Sequence, residues 1–164
     1  MTMRTLALLR HAKAEDPAGY ADDIDRPLSH RGRTDAVAVG QWLSETDLVP
    51  DRVLCSTAVR ARDTWLAVAS VVGEVSVLYE PSLYLAGASE ALELVRQTDP
   101  TVSSLLVIGH NPGLSVLSRL LDPDGLADGG LKTSGLAVHR VEDAWSDTEE
   151  GSAPLVRSHT GRGR

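Results

Sequence analysis

A chain of 164 residues, 42% hydrophobic and 24% charged, has the composition of a folded globular protein and is long enough for one domain that buries most of its apolar surface. Its formal net charge of −7, with no sustained basic run, argues against a nucleic-acid binder. No apolar run approaches the roughly 20 residues that cross a bilayer, the N-terminus lacks a signal-peptide core, and the single Cys55 cannot close an internal disulfide, so a cytoplasmic protein with no membrane or nucleic-acid partner is expected.

The apolar run Leu6-Ala7-Leu8-Leu9 predicts a first strand over residues 4–10, with His11 just beyond it. Ala12 to Pro27 is polar and rich in Asp, Gly and Pro, and therefore reads as a loop. Ser29 suits the N-cap of a helix that buries Ala36, Val39, Gly40 and Leu43. Val53–Ser56 predicts a second strand with Cys55 as a packed structural thiol. The helix after Ser56 carries Ala61, Trp65, Val68 and Val72 on one face, which places Arg60 and Arg62 near its start. A cation there opposes the helix dipole, and Arg60 makes sense if a bound anion offsets it.

Val75–Leu78 reads as a third strand, ending at Tyr79-Glu80-Pro81. Ser89 is expected to cap a helix with Ala91, Leu94, Val95 and Thr98 inward, stopped by Asp99-Pro100. Leu105–Ile108 predicts a fourth strand, followed by Asn111 as N-cap, Pro112 as first helical residue, and a buried stripe of Leu114, Leu117 and Leu121. Leu136–Val141 predicts a further strand and Ala153–Arg157 an edge strand. Strands alternating with helices predict an α/β fold: a three-layer α/β/α sandwich with a mostly parallel sheet, one domain over residues 1–158 and a flexible tail over 159–164.

Two of the five histidines, His11 and His110, follow predicted strands, and ligands of open α/β sheets bind outside the carboxyl ends of such strands. Arg10 and Arg60 suit the site to an anion, most simply a phosphoryl group. Phosphoryl transfer needs donors around the equatorial oxygens, an in-line nucleophile and a proton source. Arg10, His11, Arg60, Glu80 and His110 can supply all three, since flanking guanidinium groups keep the His11 imidazole neutral and nucleophilic. His30, His139 and His159 read as structural residues and Arg62 as a solvated helix side chain. Glu80 reads equally as a general acid or an ordinary loop carboxylate. No metal-ligand spacing, P-loop or dinucleotide fingerprint occurs, so no metal and no cofactor is expected.

Leu9-Arg10-His11-Ala12, Leu28-Ser29-His30-Arg31-Gly32-Arg33, Ser56-Thr57-Ala58-Val59-Arg60-Ala61-Arg62-Asp63-Thr64, Glu80-Pro81-Ser82-Leu83-Tyr84 and Gly109-His110-Asn111-Pro112 together resemble the histidine phosphatase superfamily. The short chain and the Arg-His-Ala form look like its SixA-like phosphohistidine phosphatases; Ala12 stands where the superfamily more often has Gly. The resemblance implies a covalent phosphohistidine on His11, hydrolysed by water. It also implies phosphoryl oxygens held by Arg10, Arg60 and His110, with Glu80 at the position of a general acid. About 30 residues separate Glu80 from His110, too few for a large lid, and an open pocket admits a protein side chain. A phosphatase is expected, acting on phosphohistidine of a signalling or phosphotransfer protein. The alternatives are a phosphatase of a sugar phosphate, nucleotide or other metabolite, and a non-catalytic phosphate-binding module.

Overall fold

The structure, a computed structural model, describes residues 3–164. A six-stranded sheet in the order β3-β2-β4-β1-β5-β6 forms its centre. The strands are β1 (Arg4–Arg10), β2 (Arg52–Ser56), β3 (Ser76–Glu80), β4 (Ser104–Gly109), β5 (Gly135–Val141) and β6 (Leu155–Thr160). β1 to β4 run parallel, β5 is antiparallel to β1, and β6 is antiparallel to β5.

Side chains alternate across a strand, and β1 shows what that does to a continuous apolar run. Ala7 and Leu9 pack with Val39 and Leu43 of α1 (His30–Glu45) and with Trp65 and Val68 of α2 (Val59–Val72). Leu6 and Leu8 face the other way, toward Leu92 and Val95 of α3 (Ala88–Arg96) and Leu114 and Leu117 of α4 (Gly113–Leu121). Both sheet faces are thus covered, and the expected α/β/α sandwich is what the chain forms.

The chain passes from β1 to β2, on to β3, and returns to insert β4 between β2 and β1. That reversal opens the crevice at the carboxyl ends of β1 and β4. In the β1–β4 register Arg10 stands opposite Gly109, and the His11 N–H donates to the Gly109 carbonyl at 3.1 Å. His11 and His110 are therefore brought side by side by strand pairing.

Ser29 caps α1 as expected: its Oγ accepts from Gly32 N–H at 3.0 Å and donates to the Lys13 carbonyl at 3.1 Å. Other ends differ from the sequence reading. Gly87, not Ser89, caps α3, because Glu90 Oε2 accepts the Gly87 N–H at 2.6 Å and draws the helix start two residues earlier. Leu92 is buried with Ala91 and Val95, while Leu94 and Thr98 are half-buried. Pro112 takes the cap position of α4. Asn111 instead ties loops together, donating from Nδ2 to the Leu131 carbonyl at 2.7 Å and accepting from Ser115 Oγ at 2.7 Å.

The C-terminus also departs from expectation. The boundary at 158 falls inside β6, and the segment expected to be a flexible tail is docked. His159 stacks on Trp42 at 4.6 Å, Gly161 N–H donates to the Ser134 carbonyl at 3.0 Å, and Gly163 N–H donates to Asp35 Oδ1 at 2.9 Å. The physical reason is Asp35: its carboxylate, 2% exposed, collects Arg31 at 3.1 Å and Arg162 at 3.6 Å. A buried charge of this kind needs such partners.

Candidate active site

The His11 and His110 rings stand 5.2 Å apart, tilted by 55°. His11 is 8% exposed. Its Nδ1 lies 2.7 Å from the Ala12 carbonyl, which can only accept, so Nδ1 carries the hydrogen and Nε2 carries the lone pair. Arg60 Nε–H points at that lone pair from 3.3 Å. Burial first, then the guanidinium groups of Arg60, Arg10 and Arg26, push the His11 pKa down to about 4, against the opposing effect of the Ala12 hydrogen bond. At neutral pH the imidazole is uncharged, with its lone pair on Nε2.

Arg60, 6% exposed, is the second residue of α2, where its charge opposes the helix dipole. The sequence suggested a bound anion as the compensating partner. The structure supplies a protein carboxylate: Arg60 Nη2 donates to Asp23 Oδ2 at 2.8 Å and Nη1 to the Asp23 carbonyl at 2.8 Å. Tyr84 Oη donates to the same Oδ2 at 2.6 Å, and Arg26 donates to Oδ1 at 2.9 Å. These bonds, Tyr84 foremost, hold the Asp23 carboxyl well below the usual carboxylate range. Asp23 thereby raises the pKa of the Tyr84 hydroxyl.

Arg10 donates from Nη1 to the Leu131 carbonyl at 3.2 Å, the oxygen that Asn111 also uses. Its Nε is buried and has no partner among the described residues. His110 lies edge-on to the Tyr84 ring at 5.5 Å, and its Nε2 shares a 2.8 Å hydrogen bond with Ser56 Oγ. Burial, then His11 and Arg60, bring the His110 pKa down to about 3. Thr64 Oγ1 accepts the Ala12 N–H at 3.0 Å and donates to the Arg60 carbonyl at 2.7 Å, joining the β1 end to the start of α2.

Arg10, His11, Arg60 and His110 thus converge. Glu80 ends β3 beside Ser56 in the sheet register, but its Oε1 accepts from Ser82 N–H at 3.4 Å and Ser82 Oγ at 3.0 Å. None of its hydrogen bonds reaches His11, Arg60 or His110. His139 is fully buried and bonded to Ser118 and the Ala153 carbonyl, His30 is exposed at the start of α1, and Arg62 lies over the Tyr79 ring at 5.4 Å. Cys55 is 0% exposed, and burial pushes its thiol up to about 12.

Sequence reading missed Asp23, Tyr84 and Ser56. Asp23 is one of five acids between Glu15 and Asp25, and nothing local distinguishes it from the other four. Ser56 and Tyr84 lie inside the motif blocks, and that position was the signal available.

Cations and neutral imidazoles gathered at the switch point of such a sheet mark the protein as a phosphatase. The chain belongs to the histidine phosphatase superfamily (branch 1), whose family model matches residues 6–84. An uncharacterised protein of Mycobacterium tuberculosis is 39% identical over 162 residues, which cover 94% of this chain and 100% of the relative. A solved structure from Nakamurella multipartitia, provisionally named phosphohistidine phosphatase SixA, is 32% identical with a TM-score of 0.82, covering 98% of each chain. The similarly named protein of Agrobacterium tumefaciens is 27% identical with a TM-score of 0.79, covering 95% of this chain and 97% of its own.

Proposed function

We propose that this protein removes the phosphoryl group from phosphohistidine in a signalling or phosphotransfer protein, through a covalent intermediate on His11. The observation that carries the reading is the approach of Arg60 Nε–H to His11 Nε2 at 3.3 Å, which aims a permanent cation at the one nitrogen free to attack. In the first step the Nε2 lone pair forms a bond to phosphorus while the substrate's P–N bond breaks and its nitrogen takes up a proton from solvent water at the open mouth. In the second, water attacks the phosphorus, inorganic phosphate departs and His11 regains its lone pair. Arg10, Arg60 and His110 hold the equatorial oxygens, where charge develops.

Two features support a protein substrate. Between Glu80 and His110 the chain contains a single turn over Pro81–Leu83, α3 and β4, so no inserted subdomain covers the mouth. The Nakamurella structure, at 32% identity, bears the name of a phosphohistidine phosphatase. A P–N leaving group is easily protonated, which lowers the demand on a general acid. Glu80 is the proposed donor from the sequence, and Asp23 is the carboxyl bonded to Arg60.

The test is a substrate panel of a phosphohistidine peptide, an alkyl phosphate, sugar phosphates and nucleotides, run with wild type, Glu80→Gln and Asp23→Asn. The proposal requires kcat/KM to be highest on phosphohistidine, with Glu80→Gln impairing only the alkyl ester. A higher kcat/KM on a metabolite phosphate assigns the protein to small-molecule chemistry instead, and binding without turnover on every substrate makes it a phosphate-recognition module.

A further inference from the structure

Ser56 closes β2 and is fully buried, and its hydroxyl has two neighbours: it accepts the Ala58 N–H at 3.2 Å and shares the 2.8 Å hydrogen bond with His110 Nε2. A serine hydroxyl offers one hydrogen and two lone pairs, and a neutral imidazole offers one N–H and one lone pair. Two arrangements therefore exist. If His110 Nε2 carried the hydrogen, the Ser56 hydrogen would have no acceptor, and His110 Nδ1, buried and without a partner among the described residues, would be an idle lone pair. If Ser56 donates, only the hydrogen on His110 Nδ1 remains unused. Buried polar groups left unpaired are costly, so the second arrangement wins.

We propose that Ser56 is a positioning residue that fixes His110 in the tautomer carrying its hydrogen on Nδ1, which leaves that N–H to donate to a phosphoryl oxygen. An anion needs a donor, and a neutral His110 has only one to give. The Ala58 N–H sharpens the arrangement by occupying a lone pair on Ser56 Oγ, which steers the hydroxyl hydrogen toward the ring. Ser56 is thus a link from the start of α2 to the imidazole that follows β4. The kinetic part of this inference rests on the phosphatase reading above; the tautomer does not.

The experiment pairs 15N NMR of the histidine side chains with kinetics on an aryl phosphate and vanadate inhibition, for wild type, Ser56→Ala and Ser56→Thr. In the wild type, His110 should show a protonated Nδ1 and an unprotonated Nε2; the reverse assignment overturns the proposal whether or not the protein turns over any substrate. Ser56→Ala should mix the two tautomers, weaken vanadate binding and lower kcat/KM about tenfold, the scale of one lost hydrogen bond. Ser56→Thr, which keeps the hydroxyl, should restore both readouts. Unchanged tautomer and kinetics in Ser56→Ala overturn the positioning role. Should that variant fail to fold, the wild-type tautomer and the threonine variant still decide it.

Discussion

Asp23 Oδ2 and Arg60 Nη2 are 2.8 Å apart, so the guanidinium that faces His11 Nε2 is already engaged with a carboxylate. Under the proposed function, an incoming phosphoryl group competes with Asp23 for that cation. The Asp23 side chain is 47% exposed, and solvent screening keeps such a pair modest. Asp23→Asn is therefore expected to tighten inhibition by inorganic phosphate and vanadate roughly two- to fivefold. Competitive inhibition constants at fixed ionic strength provide the check, and weaker inhibition in the variant would show that Asp23 chiefly orients Arg60.

The His11 tautomer predicts where phosphate attaches. Because Nδ1–H is committed to the Ala12 carbonyl at 2.7 Å, the trapped intermediate should carry phosphorus on Nε2. A reaction quenched without acid and examined by phosphorus and nitrogen NMR reads the position directly, and His11→Ala should yield neither the adduct nor turnover of an aryl phosphate.

The pH dependence follows from burial. His11 titrates at about 4 and His110 at about 3 in the folded chain, both below their ordinary value of 6.5, and burial also lowers the pKa of His139. The unfolded chain thus binds more protons as pH falls below 6.5, and folding stability, complete above that value, declines as pH drops toward 4 and 3. The Asp23 contribution is intact while pH stays above the ordinary carboxylate value of 3.8 and declines below it, because the unfolded chain then takes up a proton that the depressed carboxyl of the folded chain does not. Urea midpoints measured from pH 7 to 4 should fall, while kcat/KM of the free enzyme should hold its acidic limb well below 6.5.

Gly32 lies in the first turn of α1 against the Lys13 backbone, and an added methyl would collide with the Lys13 carbonyl oxygen. Alanine normally gains about 1 kcal/mol over glycine in a helix. Here the collision outweighs that gain, and Gly32→Ala should destabilise by about 1–3 kcal/mol. Since Lys13 stands two residues beyond His11, kcat/KM should fall as well. Thermal melts and aryl phosphate kinetics test both parts.

Removing residues 161–164 should cost stability and activity together. The deletion strips Arg162 and the Gly163 N–H from buried Asp35, and frees the Ser134 carbonyl. Ser134 in turn donates its N–H to the Arg10 and His11 carbonyls at 3.2 Å. A loss of about 1–3 kcal/mol is expected from the buried carboxylate, left with Arg31 as its one remaining ion-pair partner among the described residues, with a lower kcat; a truncated chain with wild-type melting and rate would show the docked end to be dispensable.

Sequence alone determined the elements and most of the residues that converge at the carboxyl ends of β1 and β4. Hydrophobic runs and spacing are local, so β1, β4, the Ser29 cap and the stripe Leu114, Leu117, Leu121 were legible, and so were Arg10, His11, Arg60 and His110 at the ends of those elements. Only the tertiary structure decided what meets whom. The β1–β4 register sets the two imidazoles 5.2 Å apart, Asp23 answers Arg60 across 37 positions of chain, and Asp35 gathers the C-terminus across 128. Hydrogen bonds of that reach leave no periodic trace in the sequence. They depend on loops whose course follows from packing, which is why the partner of Arg60, the tautomer of His110 and the docked tail appear only once the chain is folded.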